Sequence, residues 1–237
     1  GRKMSKSLGN VIAPQEVIMD YGADILRLWV ASSDYREDIR ISAQILTRLT
    51  DAYRKIRNTY RFMLGNLFDF DPDGDAVQFA QMAEIDRWAV LQAAKLAVSV
   101  TKSYEEFSFH EAFRSVYDFC VTQLSSFYLD ILKDRMYIFG TKSIQRRSGQ
   151  TALFEIMKVI TKVMAPMLVF TAEEAWQNLF REKAGSVHLA AWPDLLEHAA
   201  QCGQDKTLEE KWSKLIGVRE EVLKALELKR EKAEIGS

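Results

Sequence analysis

The sequence predicts an all-α protein: an up-and-down helical bundle preceded by a small irregular loop-and-helix module. Three observations lead there. Apolar residues recur at spacings of three and four over long stretches, as a single buried helix face requires. Alternation of polar and apolar residues is confined to short pieces such as Arg36–Ser42. Helix caps and breakers, at Ser42, Ser108, Gly140-Thr141 and Pro166, fall between the periodic stretches.

Pro14 suits the first turn of a short helix over about 14–20, which Tyr21-Gly22 ends. Ile25, Leu26, Leu28, Trp29 and Val30 then form an apolar helix of about ten residues. Arg36–Ser42 reads as an extended link. Ser42 caps a long helix whose stripe is Ile45, Leu49, Ala52, Tyr53, Ile56, Tyr60, Met63, Leu64 and Leu67. Its opposite face carries Arg54, Arg57, Asn58 and Arg61. Asp69 to Asp75, with Pro72 and Gly74, is a turn and linker.

A helix follows over about 83–103, with Ile85, Trp88, Leu91, Leu96 and Val100 apolar. Ser108 and Glu111 make a capping box for the next, in which Phe113, Val116, Tyr117, Cys120, Leu124, Phe127, Tyr128 and Ile131 repeat nearly every 3.5 residues. After Gly140-Thr141, Leu153, Ile156, Met157, Ile160, Val163 and Met164 mark another helix that Pro166 stops or kinks. Thr171 and Glu174 form a second capping box. Ser186–Leu189 is a brief extended piece closed by Pro193. The last helix, about 206–233, lines up Leu208, Trp212, Leu215, Ile216, Val222, Leu223 and Leu226.

The 237 residues can bury a sizeable core, and their formal net charge of −1 excludes a globally basic nucleic-acid binder. Any RNA contact must come from local patches. No apolar run is long enough to span a membrane, and no signal-peptide pattern opens the chain. Cys120 and Cys202 lie far apart, so no disulfide framework or clustered zinc site is expected. A reducing, cytoplasmic setting fits best. Starting at Gly1 without an initiator Met, the chain is expected to be a piece of a longer one.

Lys3-Met4-Ser5-Lys6-Ser7, followed by Leu8-Gly9-Asn10, sets two ammonium groups and two hydroxyls in a short loop suited to a polyanion. This phrase resembles the second ATP-binding signature of class I aminoacyl-tRNA synthetases. Further blocks resemble the isoleucyl branch: Tyr21-Gly22-Ala23-Asp24 through Trp29 to Tyr35, Tyr53 through Phe62, Lys133-Asp134-Arg135-Met136-Tyr137, Arg146-Arg147-Ser148, and Ser186-Val187-His188-Leu189 to Pro193. Valyl and leucyl relatives share the loop.

The resemblance implies that residues 1–41 are the ATP loop and stem-contact segment of a catalytic domain. Residues 42–203 would be an anticodon-binding bundle, and 204–237 a C-terminal helix and the start of a linker. It implies ATP, with magnesium accompanying it, as substrate of the full-length ligase, and tRNA(Ile) as partner of an expected monomer. Lys6 and Lys3 would be catalytic; Lys3, Met4, Ser5, Lys6 and Ser7 would hold ATP. No His-x-Gly-His motif surrounds His110, His188 or His198, and the family's editing domain is also missing. The chain alone is therefore expected to be inactive.

Arg54, Arg57, Arg61, Lys133, Arg135, Lys142, Arg146 and Arg147 are candidate tRNA contacts, because these long cations cluster locally without matching acids. The plainer alternative is a solvated helix face on which their stems cover apolar surface. Cys120 reads as a buried thiol, Met157, Met164 and Met167 as core, and His110 and His188 as satisfied structural histidines. No metal site is expected. Two other functions stay open: a non-catalytic helical interaction protein, and the same part of a valyl or leucyl ligase.

Overall fold

A computed structural model describes residues 3–181, 185–193 and 206–236, and among these no strand occurs. Cys202 and His198, and the expected boundary at 203/204, lie outside the described residues. The chain divides into two compact units, Gly1–Leu195 and Leu196–Ser237.

In the first unit, α1 (Pro14–Tyr21) and α2 (Ala23–Ser32) meet at Gly22, whose φ of 92° is open to glycine but strained for other residues. Val17 and Ile25 pack with Leu46 at the start of α3 (Ala43–Asn66), and Ile12, Tyr21, Leu26 and Trp29 surround them. This small core fixes the N-terminal module to the bundle. Ser42 caps α3 as expected, accepting from the Ile45 amide. Leu46, absent from the expected stripe, is more deeply buried than Ile45.

Asp71 caps a single turn, α4 (Pro72–Asp75), within the expected linker. The bundle continues through α5 (Glu84–Glu105) and then a rod: α6 (Phe109–Asp118), a π-helical stretch (Phe119–Tyr128) and α7 (Leu129–Ile138). The wider i→i+5 turns of the π stretch change the phase of the apolar stripe. Cys120, Leu124, Tyr128 and Leu132 are buried, whereas Ile131, expected in the stripe, is 44% exposed. α8 (Ile144–Met164), capped by Ser143, runs against α5 and is the most buried helix; Pro166 follows its end. Met157, Met164 and Met167 are core residues. α9 (Val169–Phe180) packs on α8 and α3.

Three local expectations change. Ser108 stands at the N-cap of α6 but makes no side-chain cap bond. Thr171 does not begin α9; it lies in the first turn, where its amide and hydroxyl both donate to Asp24 Oδ2 at 2.8 and 2.6 Å. α2 thus supplies the cap, and Glu174 is left to pair elsewhere. Ser186–Leu189 is a 3₁₀ turn rather than an extended piece, because Glu173 accepts from the Ser186 hydroxyl and the Val187 amide.

The second unit holds α10 (Lys206–Glu231). Leu208 is buried, while Leu215, Val222, Leu223 and Leu226 of the expected apolar face are exposed.

Candidate functional site

Ser5 is extended and opens a 3₁₀ turn, Lys6–Leu8, which Gly9 closes at φ 61° by donating its amide to the Lys6 carbonyl at 3.2 Å. A positive φ at that position is what glycine permits without a Cβ penalty. The Ser5 and Ser7 hydroxyls bond to each other at 2.7 Å. Asn10, which ends the signature-like phrase but was given no role of its own from the sequence, accepts from the Ser5 amide at 2.8 Å and donates to the Lys3 carbonyl at 3.2 Å. Lys3, Met4, Lys6 and Ser7 are all exposed. The turn therefore presents two ammonium groups to solvent on a backbone tied to itself. The signal for Asn10 was its place beside Gly9, since Asn side chains readily bond nearby backbone.

The eight candidate cations divide. Arg57 on α3 grips Glu174 on α9 with two bonds of 2.8 and 2.9 Å and a third to the Tyr53 hydroxyl at 3.2 Å. The Glu174 hydrogen bond raises the Arg57 pKa further above its usual range, outweighing burial. Arg135 pairs with Asp86. Arg146 reaches Asp69 at 2.6 and 3.0 Å and the Met136 carbonyl at 3.2 Å. Arg147 bonds the Asp69 carbonyl and Gln150, and meets Asp75 at 3.3 Å.

The supposition that these four lack matching acids is thus overturned. Their carboxylates come from segments distant in the chain, which sequence clustering cannot register. The buried guanidiniums of Arg135, Arg146 and Arg147 serve chiefly as internal ties, since losing a partner would strand a buried charge, whereas the half-exposed Arg57 links α3 to α9 at the surface. Burial alone would raise the Asp69 pKa, but the bonds from Arg146 and Gln150 hold it below the usual carboxylate value.

Arg54, Arg61, Lys133 and Lys142 remain exposed. Arg54 and Lys133 have neighbours one turn away, Asp51 at 3.3 Å and Asp130 at 2.8 Å, in the weak surface class of ion pair. Arg61 and Lys142 face solvent without an acidic partner among the described residues.

A pocket of about 390 Å³ lies between α2, α3 and α9, lined by Asp24, Tyr53, Arg57, Thr171 and Glu174, all already bonded to one another. Cys120 is buried, and its thiol is pushed up to about 12 by that burial, which leaves it inert as a nucleophile at neutral pH. His188 Nε2 lies 3.2 Å from the Val169 carbonyl. His110 departs from expectation: its buried Nδ1 has no partner among the described residues. Among the described residues, no group of three or more His, Cys, Asp or Glu could hold a metal ion. No helix among them is long and apolar enough to cross a membrane.

Comparison with known proteins places this geometry. The family profile "Anticodon-binding domain of tRNA ligase" matches residues 86–237, and that of "tRNA synthetases class I (I, L, M and V)" matches residues 1–42. The isoleucine–tRNA ligase of Syntrophotalea carbinolica is 52% identical over 100% of this chain and 25% of its own length. That of Caldicellulosiruptor saccharolyticus is 50% identical over 100% of this chain and 26% of its own. The chain thus spans about a quarter of these relatives. In a solved structure, the LeuRS of Agrobacterium radiobacter K84 in a ternary complex with tRNA and LeuAMS shares the fold at a TM-score of 0.64. It is 22% identical, over 83% of this chain and 22% of that one. With the profile match covering more than half its residues, the chain belongs to the family of tRNA-ligase anticodon-binding domains.

Proposed function

We propose that this chain is the part of a cytoplasmic isoleucine–tRNA ligase that holds tRNA(Ile) through its helical bundle and offers the Lys3–Ser7 loop to ATP. The observation that carries this reading is identity of about half the residues, along the whole chain, with relatives named isoleucine–tRNA ligase. In that reaction the isoleucine carboxylate attacks the α-phosphate of ATP, pyrophosphate leaves, and the amino acid passes to the tRNA. Negative charge grows on the departing pyrophosphate. Lys6 and Lys3, exposed on a shaped turn, would meet that charge in the transition state more strongly than in bound ATP, which raises rate. Ser5 and Ser7 would donate to phosphate oxygens by exchanging their mutual bond. Magnesium has no ligand cluster among the described residues, so none of them is given a role in holding it.

For RNA, the exposed Arg54, Arg61, Lys133 and Lys142 supply the cations, while Arg57, Arg135, Arg146 and Arg147 shape the surface. The protein is taken to act as a monomer. Among the described residues nothing encloses the exposed Lys3–Ser7 turn, so neither ATP binding nor catalysis is expected of the chain alone.

The test replaces the matching quarter of the Syntrophotalea carbinolica enzyme with this chain. The chimera should catalyse isoleucine-dependent pyrophosphate exchange and charge tRNA(Ile) in preference to tRNA(Val) or tRNA(Leu). Lys6→Ala should lower exchange by roughly 10²-fold. A folded chimera without exchange, or Lys6→Ala at the parental rate, would overturn the reading.

A further inference from the structure

Asn10 lies outside the Lys3–Ser7 pentapeptide, yet its carboxamide bonds both limbs of it. Oδ1 accepts from the Ser5 amide and Nδ2 donates to the Lys3 carbonyl, so the stretch around Met4 is stapled from one side chain. Gly9, at φ 61°, turns the chain back so that Asn10 can reach. The residue type is demanding. Aspartate keeps the acceptor but has no donor, and alanine has neither. Asn10 is half-buried while both lysines are exposed, so the fixed part of the loop is its base and the charged part is its rim.

We infer that Asn10 is a positioning residue for the adenylation step: its staple presets the backbone from which Lys3 and Lys6 reach the phosphates. This rests on the reading given under Proposed function. A loop shaped beforehand spends no reorganisation when charge develops on the leaving pyrophosphate, whereas a slack loop must be ordered during the step. Long flexible lysines can still find ground-state ATP from a slack loop. The loss should therefore fall on kcat rather than on KM.

The experiment uses the full-length chimera and follows isoleucine-dependent pyrophosphate exchange against ATP concentration. Asn10→Ala should lower kcat by about tenfold or more with the KM for ATP held within about twofold, and with Tm and tRNA(Ile) affinity unchanged. Asn10→Asp, which retains the Ser5 bond, should recover part of the loss. The inference is overturned if Asn10→Ala turns over at the parental kcat, if its loss follows a fall in Tm, if it appears only in KM, or if Asn10→Asp recovers nothing. An unsubstituted chimera lacking exchange would instead defeat the functional reading itself, so the two failures are distinguishable.

Discussion

Arg135 and Asp86, 49 positions apart, meet in a two-pronged ion pair of 2.7 and 2.5 Å inside the bundle. Tyr128 donates to the same carboxylate at 2.8 Å and Ser148 at 2.6 Å, so α5, the rod and α8 converge on a single fully buried aspartate. Tyr128 is in turn held protonated, because burial and the adjacent Asp86 both raise its pKa. Removing Arg135 strands the carboxylate. Arg135→Ala should therefore cost about 3–5 kcal/mol in urea unfolding. A loss below about 1 kcal/mol would show that the pair contributes little.

Asp69 makes stability depend on acid. Its folded-state pKa lies below the unfolded value because of Arg146 and Gln150. Its contribution is therefore complete above the unfolded carboxylate pKa near 4 and is lost as pH falls through the lower folded value. Asp69→Asn should reduce stability at pH 7 by about 2 kcal/mol, discounted for partial exposure, and flatten the fall below about pH 4. Thermal melts between pH 2 and 7 would check it; an acid limb of unchanged steepness counts against Asp69 as its source.

Gly149 permits the close crossing of α7 and α8. A Cβ there would stand 2.6 Å from Leu132 Cδ1 and 2.8 Å from Met136 Cε. Both are side-chain ends, but Leu132 is fully buried with little room to retreat. Crowding of about 1–3 kcal/mol should outweigh the roughly 1 kcal/mol that alanine gains in a helix. Gly149→Ala is expected to lower Tm, and a rise would mean that the crossing relaxes freely.

Asp24 caps α9 from another helix, accepting from the Phe170 and Thr171 amides at 3.3 and 2.8 Å. Asp24→Ala should destabilise by about 1–2 kcal/mol, the upper range for a lost cap. Amide exchange at 170 and 171 should accelerate more than exchange in mid-α8; uniform acceleration would deny a local capping role.

The exposed cations give a further prediction that depends on the proposed tRNA contact. Arg61→Ala and Lys142→Ala should each lower the slope of log affinity for tRNA against log salt by about 1. The charge-conserving control is Arg147→Lys, whose lost guanidinium bonds should appear in stability. Salt slopes identical to that of the unsubstituted protein would exclude both residues as phosphate contacts.

Much of this was legible in the chain. The spacings of Ile56, Tyr60 and Met63, and of Ile156, Ile160 and Val163, specify buried helix faces whatever the surroundings, because a helix returns the same face every third or fourth residue. Ser42 and Pro166 likewise act through local backbone chemistry, and both bound their helices as expected. The loop phrase from Lys3 to Asn10 was readable for the same reason: its donors lie within a few residues of their acceptors.

What tertiary structure alone decided were the partners of charge. Asp24, Asp69 and Asp86 look like ordinary surface acids in the sequence and Glu174 like a capping-box partner, yet each ends against a group 49 to 147 positions away. A hydrogen bond depends on distance in space, which helix packing sets and residue order does not. Thus the sequence determined the helices and the lysine loop, while packing determined which arginines hold the fold and which still face solvent.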